Sequence, residues 1–480
     1  MQLGRTILSS ILALSLAGCG GGGGSGGSFG NGGGSGGTGG GGTGGGSTTG
    51  CSFASRAQFV RDTLNEEYLF PDLLDLSVNA GAYTDLQAYI DALVAPARAQ
   101  SKDRYFTYIT SIAEENALIS SGSNAGFGIR LSYDTTANRV YVLEAFEGAP
   151  GLAAGLDRGT EILTIDGANV SALMASGGAA AVSDALGPTQ AGITRTIAFR
   201  TVDGLARSAV ITKAEFNLDP ISDRYGVKIL PDGAGGQVGY LNLRTFIVQD
   251  ASNQLRAAFQ QFKNAGISRV ILDLRYNGGG LVSVARVLGD LLAADKAGQV
   301  FARTLHRPSR ASENTTDLFT ARPEAIAAMK IAVIGRSGTA SASELVANAF
   351  IPYLGANIAL VGTNTYGKPV GQDAFDRSAC DDRLRAVTFR TVNRDGGGDY
   401  YNGLLSVIPA SCAADDGVFK PLGDPTEAST KVAVDFLAGR LCAPIPTNTA
   451  GARAQGGVER WQLLRPANPN AAQRDNPALF

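Results

Sequence analysis

Histidine is almost absent from this chain. Among 480 residues only His306 carries an imidazole, so a serine nucleophile assisted by histidine has a single candidate base. The five cysteines include no Cys-x-x-Cys pair, and with one histidine they disfavour a zinc site, so we expect no bound metal. Lysine and arginine (41) nearly balance aspartate and glutamate (43), which leaves no excess of positive charge to neutralise phosphates. We therefore expect neither nucleic-acid binding nor a cofactor.

The apolar run near the start, residues 7–16, lacks the length needed to span a bilayer. It follows Arg5 and ends in small residues, which is typical of an export signal and predicts a signal peptide over residues 1–18. Leu16-Ala17-Gly18-Cys19 resembles a bacterial lipobox, which implies a lipid on Cys19 and attachment to the cell envelope, facing the periplasm. Gly20 in place of aspartate favours the outer membrane by the same resemblance. Ordinary signal-peptidase cleavage is the alternative.

Residues 19–50 consist, after the cysteine, almost entirely of glycine, serine and threonine. Such a composition cannot bury a core and behaves as a flexible coil, with a root-mean-square span of roughly 30 Å. We interpret this stretch as a tether between a membrane and a globular body.

Four further cysteines are Cys51, Cys380, Cys412 and Cys442. An even number in an exported chain indicates disulfides, and four cysteines allow three pairings. We predict Cys380 with Cys412 and Cys51 with Cys442.

The body divides into stretches of different pattern. Residues 51–120 predict helices, including one over 105–117, because apolar side chains such as Val60 and Leu64 recur at helical spacing. Residues 121–213 are short β-type runs broken by glycine, and residues 214–443 alternate strands with helices, which predicts an α/β core with a mostly parallel sheet. Residues 444–480 are polar, and we predict a poorly ordered tail.

The β-rich stretch carries a recognisable motif order. Phe127-Gly128-Ile129 precedes an alternating strand, Gly151-Leu152-Ala153-Ala154-Gly155-Leu156 follows, and Gly159-Thr160-Glu161-Ile162 leads into Ile165-Asp166-Gly167. This order resembles a PDZ domain, and the resemblance implies that Phe127, Gly128 and Ile129 form a loop that binds the carboxylate of a polypeptide end. A generic small β-barrel insert is the alternative.

A serine and a lysine in the α/β stretch predict catalysis. Ser341-Ala342-Ser343-Glu344 has the pattern of a capping box. In this motif the serine caps the start of a helix, and the glutamate three residues later accepts the backbone N–H of that serine. A serine at a helix N-terminus also leaves the next N–H free to stabilise an oxyanion. Lys368 can serve as a base if burial lowers its pKa to roughly 7–8, and Gln372 can orient its amine.

The third motif is Asp273-Leu274-Arg275-Tyr276-Asn277-Gly278-Gly279-Gly280. Glycines after a strand let a backbone N–H approach a carbonyl closely. We predict that the N–H of Gly279, or of Gly278, forms an oxyanion hole with that of Ala342. The competing interpretation is a plain strand-to-helix turn.

Together these motifs resemble the C-terminal processing peptidases, also called tail-specific proteases, over roughly residues 59–441. The resemblance implies a crotonase-like or ClpP-like α/β core with an inserted PDZ domain. It implies an endopeptidase with Ser341 as nucleophile, Lys368 as base and Gln372 as the residue that orients it. Polypeptide substrates would be captured through their C-termini, and an adaptor lipoprotein or a homo-oligomer is left open. A catalytically inactive PDZ scaffold and a crotonase-like acyl-transfer enzyme are the alternative functions.

Overall fold

The computed structural model of the chain describes residues 50–134, 136–447, 461–466 and 469–480. The predicted signal peptide, Cys19 and nearly all of the tether lie outside these residues. The described α-helices are α1 (Phe53–Glu67), α2 (Leu86–Leu93), α3 (Ala95–Ala99), α4 (Ile112–Ser121), α5 (Pro150–Ala153), α6 (Val170–Leu186), α7 (Ala251–Asn264), α8 (Val282–Leu292), α9 (Ala342–Leu354), α10 (Ala428–Leu437) and α11 (Ala471–Asp475). No helix in these ranges is long and apolar enough to cross a membrane.

The strands form three principal sheets. They are β1 (Tyr108–Ser111), β2 (Ser123–Gly126), β3 (Ile129–Asp134), β4 (Arg139–Ala145), β5 (Glu161–Ile165), β6 (Ala168–Asn169), β7 (Thr194–Arg200), β8 (Ala206–Thr212), β9 (Ala214–Asn217), β10 (Val227–Pro231), β11 (Gln237–Asn242), β12 (Arg269–Asp273), β13 (Val300–His306), β14 (Thr315–Leu318), β15 (Lys330–Gly335), β16 (Ile358–Gly362), β17 (Val370–Arg377), β18 (Asp382–Val392), β19 (Ala410–Ala413) and β20 (Trp461–Leu463).

The central sheet has the order β10-β11-β12-β15-β16-β19 and is parallel from β11 onward, as the alternating strands and helices predict. Neighbouring residues of a strand point to opposite faces. Leu272 therefore joins the buried cluster under α7, α8 and α9, whereas Ile271 joins the cluster under α10. Both faces of the sheet are covered, which makes it a rigid base for the loops that leave its strand ends.

A second sheet has the order β1-β18-β13-β14, with β17 also paired to β18. Helices α1 and α2 pack on it through Val60 and Ile90, which share a buried cluster with Leu384 and Val387. The helix predicted over 105–117 is wrong in its first part, because β1 pairs with β18 there and α4 begins only at Ile112.

The β-rich stretch forms a third sheet of order β20-β3-β4-β5-β7-β8, with β6 paired to β5. Helix α6 contributes Val182 and Leu186 to the same buried cluster as Ile197 and Phe199 of β7. Strands β2 and β9 pair at the base of this unit.

The predicted disulfide pairing is wrong. The structure joins Cys51 to Cys380 and Cys412 to Cys442. Cys51 lies beside α1, and the Arg377 guanidinium, close to Cys380 in the chain, donates to the Ser55 carbonyl of that helix. The turn between β17 and β18 is thereby held against the first helix, which places the two distant cysteines together.

The prediction of a poorly ordered tail is wrong for residues 461–466 and 469–480. Strand β20 pairs with β3, and the Trp461 ring packs edge-on against Tyr141, with centroids 5.0 Å apart. Ala478, Leu479 and Phe480 are buried. The sequence does not reveal this packing, because a short extended segment at a sheet edge contains too few residues to show a periodic hydrophobic pattern.

Candidate active site

Three loops meet at one edge of the central sheet. The glycine-rich motif follows β12, Ser341 follows β15, and the loop that leads to Lys368 follows β16. Strands β12, β15 and β16 are parallel neighbours, so their carboxyl ends open at the same edge. Ligands of open parallel sheets bind at such edges. The order of the strands therefore brings motifs that are far apart in sequence into one cleft.

Ser341 lies in a strained turn at the start of α9. Its backbone has φ 55° and ψ −115°, a region that residues with a side chain rarely adopt. A sharp, strained strand-to-helix turn is a position at which some enzymes present a nucleophilic serine. Ser341 is partly exposed, whereas Ser343 is fully buried and its hydroxyl donates to the Asn277 carbonyl at 3.0 Å. The geometry supports Ser341 over Ser343 as the reactive serine.

Lys368 lies two residues before β17, and the hydrogen-bond and ring partners of its amine are uncharged. The amine donates to Gln372 Oε1 at 2.5 Å and lies 5.0 Å from the centre of the Phe106 ring. Burial lowers the pKa of Lys368 to about 8, against the opposing effect of the Asp475 and Asp103 carboxylates. An amine with this pKa is substantially neutral at mildly alkaline pH and can accept a proton.

Glu344 holds the two halves of the site together, a role beyond the helix cap that the sequence predicts. Its Oε2 accepts the N–H of Ser341 at 3.1 Å and the N–H of Lys368 at 2.7 Å. Both bonds end on one oxygen atom, so the backbones of Ser341 and Lys368 lie side by side. The other oxygen accepts from Gly367 N and from the Thr365 hydroxyl. Burial of this fully enclosed carboxyl raises its pKa.

The Ser341 hydroxyl and the Lys368 amine share no hydrogen bond among those of the described residues. The amine instead points to Gln372, whose own Nε2 donates to the Phe106 carbonyl. Proton transfer requires the two groups to approach to about 2.6–3.2 Å, and catalytic hydrogen bonds often tighten only when substrate binds.

The N-terminal stretch, in which the sequence shows no catalytic motif, thus supports the site through Phe106. Its neighbour Arg104 donates to the carbonyls of Tyr366, Gly367 and Tyr401. No local motif marks these two residues, because both act only through long-range contacts.

The glycine-rich loop packs directly against Ser341. A side chain at Gly279 would lie 2.7 Å from the Ser341 Cβ, so close approach requires glycine. The Gly279 N–H donates to Asn277 Oδ1 at 2.9 Å and is therefore not a free oxyanion donor. Because this bond lies within its own loop, Gly279 is the weaker candidate of the two predicted donors. The Gly278 N–H, the second choice, faces the cleft and donates to the Asp475 carbonyl at 2.9 Å. No hydrogen bond within the described residues uses the Ala342 N–H.

The predicted carboxylate loop, Phe127-Gly128-Ile129, lies at the start of β3 and is fully buried. The N–H groups of Gly128 and Ile129 donate to the Phe480 carbonyl oxygen at 2.8 and 3.2 Å. This loop is separate from the serine and lysine, but the chain between Asp475 and Phe480 connects the two places.

The described residues contain no group of three or more histidine, cysteine, aspartate or glutamate side chains that could hold a metal ion. His306 lies on β13 beside Phe389, and its closest carboxylate, that of Glu313, is 3.9 Å away.

Comparison with known proteins identifies the core. Residues 237–403 match the model of peptidase family S41, a range that contains the glycine-rich loop, Ser341, Lys368 and Gln372. The chain is 27% identical over 321 residues to a carboxyl-terminal-processing protease of Synechocystis sp., covering 66% of this chain and 70% of that protein. It is 31% identical over 274 residues to a chloroplastic C-terminal processing peptidase of Tetradesmus obliquus, covering 54% of each.

A crystal structure from Bacteroides fragilis NCTC 9343, described as an S41 protease, superposes with a TM-score of 0.61 at 24% identity. It covers 79% of this chain and 97% of that chain, which supports the same mixed α/β fold. With its motif residues inside the matched range, the chain contains a peptidase family S41 match at residues 237–403, is similar to the carboxyl-terminal-processing proteases, and is a serine endopeptidase.

Proposed function

We propose that this protein is a lipid-anchored periplasmic endopeptidase that binds the C-termini of polypeptides through its β-rich unit and cleaves them with Ser341, Lys368 and Gln372. The observation that carries the catalytic assignment is the pairing of the Lys368 amine with an uncharged amide, that of Gln372. A carboxylate partner would keep the lysine protonated, whereas an amide orients the amine and leaves its lone pair available.

The reaction begins when the Ser341 Oγ attacks the peptide carbonyl carbon and neutral Lys368 takes the hydroxyl proton. The oxyanion is stabilised by the N–H groups of Gly278 and Ala342. The protonated lysine then gives its proton to the leaving amine, and the peptide bond breaks to leave an acyl-enzyme. Water attacks this ester with Lys368 again accepting a proton, which releases the acid product and restores the serine.

The β-rich unit has the features expected of a PDZ domain. Its loop directs two N–H groups at one carbonyl oxygen, and the edge of β3 accepts an extended chain. Main-chain hydrogen bonds of this kind give affinity without regard to sequence, and the adjacent apolar cluster selects the side chain. Periplasmic anchoring through Cys19 is supported by the lipobox-like residues and by two disulfides, which form in oxidising compartments.

The experiment is degradation of an unstructured protein, β-casein, by purified variants followed by mass spectrometry. We expect Ser341→Ala and Lys368→Ala to lose cleavage and Ser343→Ala, the matched control two residues away, to retain it if it folds. Thermal unfolding of each variant checks the fold. Undiminished cleavage by either of the first two variants would refute the assignment.

A further inference from the structure

Two pieces of the chain, residues 461–464 and 478–480, bond to the same strand, β3. Trp461 to Leu463 pair antiparallel with the second half of β3, and Leu464 N donates to the Leu131 carbonyl. Residues 478–480 then continue along the first half: Leu131 N donates to Ala478 O, and Phe480 N donates to Ile129 O. The two pieces lie end to end on the same sheet edge.

The described residues between these pieces, 465–466 and 469–477, include several that lie at the catalytic cleft. Arg465 donates to the Ser337 carbonyl, close before Ser341, and its guanidinium lies 5.5 Å from the Tyr366 ring centre. Helix α11 follows, and the Arg474 guanidinium lies 4.0 Å from the Tyr108 ring centre. The two arginines and the two tyrosines line a cavity of about 790 Å³ together with Lys368.

The Asp475 carbonyl binds one of the two N–H groups that we assign to the oxyanion hole. It accepts the Gly278 N–H at 2.9 Å, and a side chain at Gly278 would lie 2.8 Å from that oxygen. The Asp475 carboxylate acts electrostatically on Lys368, which favours the protonated amine. A protonated lysine cannot act as a base, so this contact opposes catalysis in addition to covering the cleft.

The return to β3 is firmly anchored. Leu479 is fully buried in a cluster with Phe146, Phe216 and Leu218, and Phe480 is buried in the core cluster of the β-rich unit. The buried Arg130 guanidinium donates at 2.8 Å both to the Pro477 carbonyl and to the Tyr276 carbonyl of the glycine-rich motif. One side chain of the β-rich unit thereby ties segment 469–480 to the catalytic core.

We propose that segment 469–480 is an intramolecular ligand of the groove beside β3 and covers the cleft of Ser341 and Lys368, which holds the protease inhibited. Polypeptides with apolar ends similar to Ala478-Leu479-Phe480 displace it, and the displacement opens the cleft. The proposal rests on the proposed function for its consequence, but occupancy of the groove can be tested without catalysis.

The first test measures peptide binding in a Ser341→Ala background. The probe is the peptide Ala-Ala-Gln-Arg-Asp-Asn-Pro-Ala-Leu-Phe with a free carboxylate and an N-terminal fluorescein, followed by anisotropy. When the segment occupies the groove, only the fraction of molecules with an empty groove can bind the probe. The apparent Kd for the probe therefore equals the intrinsic Kd divided by that fraction. We expect Leu479→Asp, whose segment is released, to bind the probe at least about tenfold more tightly than the background chain.

The matched control is Leu441→Asp, because Leu441 is the same residue type and is fully exposed. It should leave probe binding unchanged. Phe480→Asp releases the segment from a different apolar cluster and should repeat the gain even if Leu479→Asp folds poorly. Equal probe affinity in the background chain and in both release variants would overturn the proposal.

The second test restores Ser341 and measures kcat/KM on a short internally quenched peptide. We expect both release variants to exceed the unsubstituted chain by about tenfold, with Leu441→Asp unchanged. Activity that depends on Ser341 but does not rise on release would overturn the inhibition. Tighter probe binding in the release variants without any Ser341-dependent cleavage would instead count against the proposed function and leave groove occupancy supported.

Discussion

Two cations in the core, Arg275 and Lys368, lie in opposite electrostatic surroundings. Arg275 is fully buried and pairs with three carboxylates, those of Asp273, Asp416 and Glu427, at 2.9–3.1 Å. These neighbours raise its pKa, despite burial. Lys368 has an amide and an aromatic ring instead, and burial lowers its pKa to about 8.

The difference separates structural from catalytic use of a buried charge. Paired carboxylates repay the loss of hydration around Arg275, so this group stays ionised and links β12 to α10 and to the loop after β19. Lys368 has too few neighbouring carboxylates to offset its loss of hydration, so its pKa is lowered. Under the proposed mechanism, the same fold contains an arginine that stays charged and a lysine that must lose its proton.

The largest effect we expect is that of Lys368→Met on catalysis. Loss of the base should lower kcat by about 10⁴-fold or more, because residues of a catalytic set act as a unit. Removal of a weakly partnered cation leaves no unpaired carboxylate, so the unfolding temperature should stay the same or rise. Steady-state kinetics and thermal unfolding of the same preparation measure both. A large fall in the unfolding temperature of Lys368→Met would show that Lys368 stabilises the fold, as we expect of Arg275.

Arg275→Met should instead lower the stability of the fold. It leaves buried carboxylates without their partner, and breaking such a pair destabilises a protein by about 3–5 kcal/mol. The matched control is Arg440→Met, whose pair with Asp435 is substantially exposed, with an expected cost below about 1 kcal/mol. Urea denaturation compares the two. Equal stability of both variants would show that the Arg275 network does not hold the fold.

Glu344→Gln should lower kcat by about 10- to 100-fold, the range seen when supporting contacts of a site are removed. An amide has one acceptor oxygen where the carboxylate has two, so it cannot accept from Ser341, Thr365, Gly367 and Lys368 as the carboxylate does. A positioning role predicts a fall in kcat with little change in KM. A change in KM alone would contradict it.

Asp475→Asn should have the smallest effect, a shift in the pH profile. The rate rises as Lys368 loses its proton, with an apparent pKa of about 8. The carboxylates of Asp475 and Asp103 raise this pKa, whereas the guanidinium groups of Arg385 and Arg474 lower it. Removing the Asp475 charge should therefore move the rise in kcat/KM to lower pH.

The control for this shift is Asp395→Asn, which removes an exposed carboxylate paired with Arg394 at the surface. Its profile should match that of the unsubstituted chain. An unchanged profile for Asp475→Asn, or a shift to higher pH, would show that segment 469–480 does not lie beside the lysine.

The sequence predicts the candidate catalytic groups because each lies in a short contiguous motif, and the structure brings their loops to one edge of the sheet. Ser341, Lys368 and Gln372 are identified by their immediate neighbours, and the parallel sheet that brings them together follows from alternating strands and helices. The choice between Gly278 and Gly279 could not be made, since it depends on which N–H the Asn277 side chain accepts.

Long-range contacts account for the other errors. The carboxylate of Glu344 binds a loop 24 residues away, a partner that a capping motif does not reveal. The disulfides depend on how α1 packs against the turn after β17. Residues 478–480 carry too few side chains for a periodic pattern, although their apolar character is a signal that could have indicated a buried segment.

The most direct test is the site and pH dependence of labelling by a fluorophosphonate, read by peptide mass spectrometry on the Leu479→Asp variant. The account predicts that the label appears on Ser341 and not on Ser343, that its rate rises with pH as Lys368 loses its proton, and that Lys368→Met abolishes it. Labelling of Ser343, or labelling of Ser341 at a rate that is indifferent to Lys368, would contradict it.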